Sequence, residues 1–169
     1  DTFLNVRGLD ALCAAVVQCW SSLWTARAIG YRARNGIDQR SVALAVVVQA
    51  MAPAQAAGVL FTANPLTGRR TETVIDATLG LGEALVSGQV EPDHYVIDPD
   101  RGAILHKTLG AKGTVISARL GGGTVTQQQD NRAVSAIPDA VALELAALGS
   151  RVQALYASPQ DIEWAWDGD

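Results

Sequence analysis

The sequence predicts an α+β fold in which a mainly antiparallel sheet is flanked by a long N-terminal helix and a C-terminal helix. Apolar residues recur at helical spacing near both ends of the chain, and the middle holds short β-rich runs separated by turn residues. Strands and helices do not alternate regularly, as a parallel sheet would require. Together these observations favour a strand meander between two helices.

The composition limits the classes of protein to consider. The chain has 169 residues, of which 49% are hydrophobic, so it is long and apolar enough for one domain or two small lobes. Its net charge of −4 argues against nucleic acid as the main partner. No apolar run approaches the roughly 18 residues of a membrane span, and no signal pattern is present. We therefore expect a cytoplasmic protein without a membrane partner.

The N-terminal pattern predicts one amphipathic helix over residues 9–34, which Asn35 and Gly36 end. Cys13 and Cys19 lie within it, six residues apart. That spacing places them about 9 Å apart along the axis and on different faces, too far for a disulfide. We expect both to be small buried apolar residues in a reducing compartment.

The next segment is rich in Val and Ala and predicts a mostly buried strand over residues 41–51. Further strands are expected at residues 58–62 and 71–78, joined by a turn at 64–68. Residues 79–88 are bounded by glycines and predict a loop with a short helix.

A hairpin is expected from strands at residues 94–98 and 103–107, with its turn at 99–102. Residues 114–119 predict another strand, and the polar stretch 121–130 is expected to be mobile.

Pro138 begins the last predicted helix. Its apolar face is expected to hold Val141, Leu145, Leu148, Val152 and Leu155. The final predicted strand covers residues 161–166.

Two carboxylates lie on one face of this final strand. With a period of two, Asp161 and Glu163 point to the side opposite Trp164, with their α-carbons roughly 7 Å apart. Such a pair could hold a Mg²⁺ ion that bridges ATP phosphates. The alternative is an amphipathic strand whose acidic face is solvated.

Asp76 and Glu83 flank the glycines Gly80 and Gly82, which would let the backbone approach a ligand closely. The dinucleotide fingerprint fails because Leu85 stands where a third glycine is required, and no phosphate-binding P-loop occurs. The alternative is a strand-to-helix turn with a capping acid.

Gln49 and Met51 close the predicted buried strand, where backbone groups and a methionine could contact an adenine base. A core strand reaching the rim of the sheet is the alternative. His94 and His106 are expected on neighbouring strands, as structural or surface residues rather than catalysts.

Four segments, in this order, resemble the ATP-grasp nucleotide-binding domain of phosphoenolpyruvate synthase and pyruvate phosphate dikinase, which rifampin phosphotransferases share. They are DTFLNVRG at 1–8, GVLFTANPLTG at 58–68, GLGEALVSG at 80–88 and SPQDIEW at 158–164. The resemblance covers nearly the whole chain and is specific for the superfamily rather than for one substrate.

The resemblance implies that residues 1–169 form a partial domain, the C-terminal lobe, truncated at both ends. It implies that Glu163 binds the metal with Asp161 beside it, and that Glu83 is the acid of the nucleotide loop. It also implies adenine contacts for Gln49 and Met51. ATP would be the substrate and Mg²⁺ the cofactor, with the β-phosphate passing to a histidine on a separate domain and then to pyruvate.

The family's preceding lobe with its phosphate-binding Lys and Arg, its following strand and its phosphocarrier histidine motif are not found in this sequence. We therefore expect no catalytic residue in the chain, and we expect the chain alone to bind ATP weakly and to be inactive. Two alternatives remain open. One is the ATP-binding lobe of a rifampin phosphotransferase, and the other is a non-catalytic interaction module that dimerises through an exposed sheet edge.

Overall fold

The computed structural model describes residues 1–169, which divide into two units. The first unit contains residues 1–51 and 118–124, and the second contains residues 52–117 and 125–169. No helix of the structure combines the length and the apolar character needed to cross a membrane.

The helical segment of the first unit is interrupted. Helix α1 (Leu9–Ser21) runs into a short 3-10 turn at Ser22–Trp24, and helix α2 (Ala26–Arg34) follows. Thr25 has extended backbone angles, and its Oγ1 accepts a hydrogen bond from the Ala28 amide at 3.3 Å. This cap begins a new helix, so the prediction of one continuous helix is wrong at Thr25. The predicted end is confirmed, since α2 stops before Asn35 and Gly36.

The predicted strand over residues 41–51 is wrong. The backbone from 42 to 54 has no regular secondary structure, and most of its side chains are exposed. Instead, the Leu44 carbonyl accepts a hydrogen bond from the Trp20 indole at 3.2 Å, and the Met51 sulfur lies 3.1 Å from the Asn5 amide. A strand needs a neighbour to pair with, and this apolar segment has none.

The two cysteines are free, which confirms the absence of a disulfide between them. The expectation that both are buried is wrong, because Cys13 is exposed and Cys19 is half-buried. Both cysteines lie on α1, and none of the residues of this helix is buried.

The strands are β1 (Ala56–Phe61), β2 (Thr73–Leu79), β3 (Asp93–Asp98), β4 (Ala103–Thr108), β5 (Thr114–Ala118), β6 (Thr124–Gln128) and β7 (Asp161–Trp166), and the short helix α3 (Glu83–Val86) follows β2. Five of these strands form an antiparallel sheet with the order β4-β3-β2-β1-β7, which confirms the predicted fold class. A separate two-stranded ribbon pairs β5 with β6. The polar stretch at 121–130 therefore contains a strand that the sequence did not predict, and its predicted mobility stays a prediction.

Helix α4 (Asp139–Tyr156) packs on one face of the sheet through small residues. Ala142, Ala146 and Gly149 are its buried positions, and a Cβ at Gly149 would lie 2.7 Å from Leu60 Cδ2. The predicted apolar face is only partly correct, because Leu148 and Leu155 are 48% and 79% exposed. Close approach of helix and sheet selects small side chains, whereas the sequence pattern emphasises large ones.

The turn between β1 and β2 is held by a polar network. The Asn64 side-chain oxygen accepts hydrogen bonds from the amides of Leu66 and Thr67, at 3.0 and 3.2 Å. Its amide nitrogen donates to one Glu72 oxygen, and Arg69 donates to the other, both at 2.7 Å. These two hydrogen bonds, of which the one from Arg69 has the larger effect, hold the pKa of Glu72 below its ordinary value of 4.5.

We expect Glu72→Gln to lower the melting temperature at about pH 7 and to have little effect in acid. Because the folded-state pKa of Glu72 is lowered, its contribution is complete above pH 4.5 and is lost as pH falls through the lowered value. Melting curves of both proteins should converge towards about pH 3. A constant gap between them down to that pH would contradict this, and Glu144→Gln, on an exposed position of α4, is the control.

Candidate functional site

Strand β7 separates an apolar face from an acidic one. Ile162, Trp164 and Trp166 pack against the core that α4 covers. Asp161 and Glu163 are exposed on the opposite face, as a period of two predicts. The Trp-rich face thus anchors an edge strand whose carboxylates point away from the core.

An open cleft of about 520 Å³ lies over this acidic face. It is lined by the strand residues Val59, Phe61, Asp76, Asp161 and Glu163 and by Leu85 and Val86. No lysine or arginine lines the cleft. Its walls are therefore apolar side chains with three carboxylates, a surface that needs a cation before it can hold a polyanion.

The strand register fixes how these groups are spaced. Glu163 pairs with Val59 on β1, and Val59 pairs on its other side with Asp76 on β2. Two strand spacings therefore separate the Glu163 and Asp76 α-carbons, about 10 Å. Asp161 pairs with Phe61, one row further along the same face. The cleft thus has acidic residues on both sides of an apolar strand.

The glycine turn after β2 carries the short helix α3 (Glu83–Val86) to this cleft. Gly80 has a φ of 74°, and a Cβ there would lie 2.3 Å from the Ile116 carbonyl oxygen. That oxygen accepts a hydrogen bond from the Leu81 amide at 2.8 Å, which fixes the turn against β5. Leu85 and Val86 line the cleft, whereas Glu83 is exposed and does not line it. Its role in a nucleotide loop stays a prediction.

Gln49 and Met51 belong to the first unit, and both are exposed. They do not end a buried strand, so the structural premise of their predicted adenine contact is wrong. The contact itself, which the resemblance implies, stays a prediction.

Sequence reasoning missed one pair at the cleft. His94 Nδ1 lies 2.7 Å from Asp76 Oδ1, and the two residues pair directly between β2 and β3. They are 18 residues apart, and the only signal in the sequence was the expected antiparallel neighbourhood of their strands. His106, on β4, bonds Thr108 instead, with its Nε2 2.8 Å from Oγ1.

The donor atoms at β7 suit a cation that arrives with a ligand. Asp161 and Glu163 form no ion pair with any base in the chain. No group of three or more Asp, Glu, His or Cys side chains converges on one point to form a complete metal site. Mg²⁺ commonly takes one or two carboxylates and completes its octahedron with phosphate oxygens and water. The two carboxylates fit that partial role.

Three relatives illustrate what the chain is similar to. A rifampicin phosphotransferase of a Streptomyces species is 46% identical over 173 residues and covers 100% of the chain. Phosphoenolpyruvate synthase of Pyrococcus furiosus is 40% identical over 177 residues, and a probable phosphoenolpyruvate synthase of Methanothermobacter thermautotrophicus is 45% identical over 172, both again covering 100% of the chain. The chain spans 20%, 22% and 25% of these relatives, respectively.

The family described as the pyruvate phosphate dikinase AMP/ATP-binding domain matches residues 1–169 of the chain. The relatives of this region are phosphotransferases or phosphoenolpyruvate synthases, in agreement with the four sequence segments. This chain therefore belongs to the AMP/ATP-binding domain family of pyruvate phosphate dikinase.

Proposed function

We propose that the chain is the ATP-binding part of a phosphotransferase and that Asp161 and Glu163 hold the Mg²⁺ ion that accompanies ATP. The observation that supports this most is the position of two unpaired carboxylates on the cleft face of β7. A bound Mg²⁺ would neutralise phosphate charge during phosphoryl transfer. Because no basic side chain lines the cleft, the carboxylates would attract the triphosphate through the metal ion rather than directly.

The apolar part of the cleft suits the rest of the nucleotide. Val59, Phe61 and Leu85 present hydrophobic surface beside the carboxylates. The volume of about 520 Å³ is within the range of small-ligand sites. Ribose or base could pack on this surface while the phosphates extend towards β7. The proposal agrees with the nucleotide-binding domain that the sequence segments resemble.

For the acceptor, we propose pyruvate, converted to phosphoenolpyruvate through a phosphohistidine on a separate domain. Support comes from phosphoenolpyruvate synthase relatives at 40–45% identity. A rifamycin acceptor is the second candidate, supported by rifampicin phosphotransferase relatives at 45–47% identity. The coding sequence on either side of this chain would separate the two, because the acceptor is bound by other parts of these proteins.

A third candidate is an interaction module without catalysis. The outer edge of β7 is unpaired, since β7 pairs only with β1. An unpaired edge can recruit another strand. Size-exclusion chromatography would favour this candidate if the chain forms a tight dimer that is indifferent to ATP.

The central proposal is tested by titrating the chain with ATP, with and without Mg²⁺, while following its amide signals by NMR, which also measures weak binding. We expect Mg²⁺-dependent binding, weaker than micromolar, and a loss of at least about tenfold in affinity for Glu163→Gln and Asp161→Asn. Glu144→Gln, an exposed carboxylate on α4, should have no effect. Glu83→Gln in the same titration tests the loop acid.

Binding that is independent of Mg²⁺, or unchanged by both β7 substitutions, would contradict the assigned metal ligands. Micromolar affinity of the chain alone would contradict the expectation that it binds ATP only weakly.

A further inference from the structure

Asp76 and His94 form a pair that lies partly in solvent on the cleft face of the sheet. Their side chains are 26% and 35% exposed, and His94 Nδ1 is 2.7 Å from Asp76 Oδ1. A carboxylate at Nδ1 selects the tautomer with the proton on that nitrogen. Of the three acidic side chains that line the cleft, Asp76 is the one that contacts a histidine.

The strand register connects this pair to the proposed metal ligands. Glu163, Val59, Asp76 and His94 form one row across four neighbouring strands, on one face of the sheet. Adjacent strands are about 4.8 Å apart, so the Asp76 and Glu163 α-carbons lie about 10 Å from each other. His94 lies one strand further on, so a change of one charge on its imidazole acts on a polyanion at the cleft chiefly through Asp76, which lines the cleft and contacts the imidazole.

Few other charged groups surround His94. Across from it on β4 lies Thr108, which bonds His106, and on its own strand and face Asp98 is paired with Arg101. From β2 the facing group is Asp76 itself, and α3, packed on β2, contributes the exposed Glu83. Helix α4 covers the other face of the sheet, where Lys112 and Asp93 bond each other. The charge on His94 is therefore balanced first by Asp76.

We propose that His94 sets the net charge of the nucleotide cleft through Asp76, so that affinity for Mg-ATP falls as pH rises through the titration of the imidazole. A protonated imidazole cancels the Asp76 charge and leaves two net negative charges at the cleft. A neutral imidazole leaves three, which oppose the negatively charged Mg-ATP complex. This inference rests on the proposed function, and it makes His94 a positioning residue rather than a catalytic one.

The test is the Mg-ATP titration of the whole chain by NMR at a series of pH values from about 6 to 8.5. For the wild type we expect affinity to fall about three- to tenfold across this range, with a midpoint at the pH where the His94 ring signals titrate. His94→Gln keeps a donor for Asp76 but cannot become charged. Apart from the titration of the nucleotide, which all the proteins share, its affinity should not change with pH and should equal the high-pH affinity of the wild type.

Two further variants complete the test. Asp76→Asn should bind Mg-ATP more tightly than the wild type at high pH, because one negative charge has been removed. His106→Gln is the matched control: it removes the other histidine of this face, which bonds Thr108 rather than an acid, and should retain the wild-type profile. Titration of the nucleotide itself is common to all four proteins and cancels between them.

Outcomes for this inference and for the proposed function can be told apart. Binding with the same pH profile in the wild type and His94→Gln would overturn the inference and leave nucleotide binding intact. A complete lack of Mg-ATP binding at every pH would overturn both.

Discussion

Replacing Lys112 by methionine is expected to lower the free energy of unfolding by about 3–5 kcal/mol, because it leaves Asp93 charged and buried without its partner. Both side chains are fully buried, and the Lys112 ammonium bonds Asp93 Oδ1 directly. It also donates to the Gly110 carbonyl at 2.7 Å. The other Asp93 oxygen accepts the Ala136 amide at 2.6 Å. The pair therefore joins the start of β3 to two loops.

The second lysine of the chain provides a matched control. Lys107 pairs with Asp139 at 2.6 Å, but the two side chains are 29% and 58% exposed. Lys107→Met should therefore cost about 1 kcal/mol or less. Urea unfolding followed by circular dichroism compares the two variants directly. Equal losses in both, or a loss below about 1 kcal/mol for Lys112→Met, would contradict a stabilising role for the buried pair.

The buried pair of Asp93 and Lys112 could not be predicted from the sequence. Asp93 and Lys112 are 19 residues apart, and nothing in the local pattern says that an aspartate and a lysine leave the surface together. Acidic and basic residues are ordinarily solvated, so a buried pair is visible only once the chain has folded around it. The same holds for Asp76 and His94, whose contact depends on strand register.

The acidic face of β7 could be predicted, because alternation in a strand fixes which side chains share a face. The antiparallel sheet was also predictable, from short β-rich runs separated by turn residues. In contrast, the apolar run at 41–51 resembles a buried strand in composition and still lacks a pairing partner. The buried face of α4 was missed for a related reason. The helix lies so close to the sheet that small side chains form its buried face, namely Ala142, Ala146 and Gly149. A helical sequence pattern does not contain this distance.

Gly58→Ala is expected to destabilise the chain by about 3 kcal/mol, although the same substitution often stabilises a strand. Gly58 lies in β1 between Ala77 of β2 and Trp164 of β7. An added Cβ would lie 2.0 Å from the Asp76 carbonyl oxygen and 2.5 Å from Trp164 Cζ2. A backbone oxygen in the middle of a sheet cannot move without disturbing the pairing. The methyl group must therefore displace β2, the indole ring or both.

A shift of β1 at Gly58 would also change the cleft, because β1 lies between the strand that carries Glu163 and the strand that carries Asp76. We therefore expect Gly58→Ala to weaken Mg-ATP binding as well as to lower the urea midpoint. Gly113→Ala is the control, because its Cβ would meet only the Gln129 carbonyl oxygen, at an ordinary 3.8 Å. If Gly58→Ala proved as stable as Gly113→Ala, the packing of the Trp164 ring against β1 would not require a glycine at position 58. The packing that holds the acidic strand in place would then have another origin.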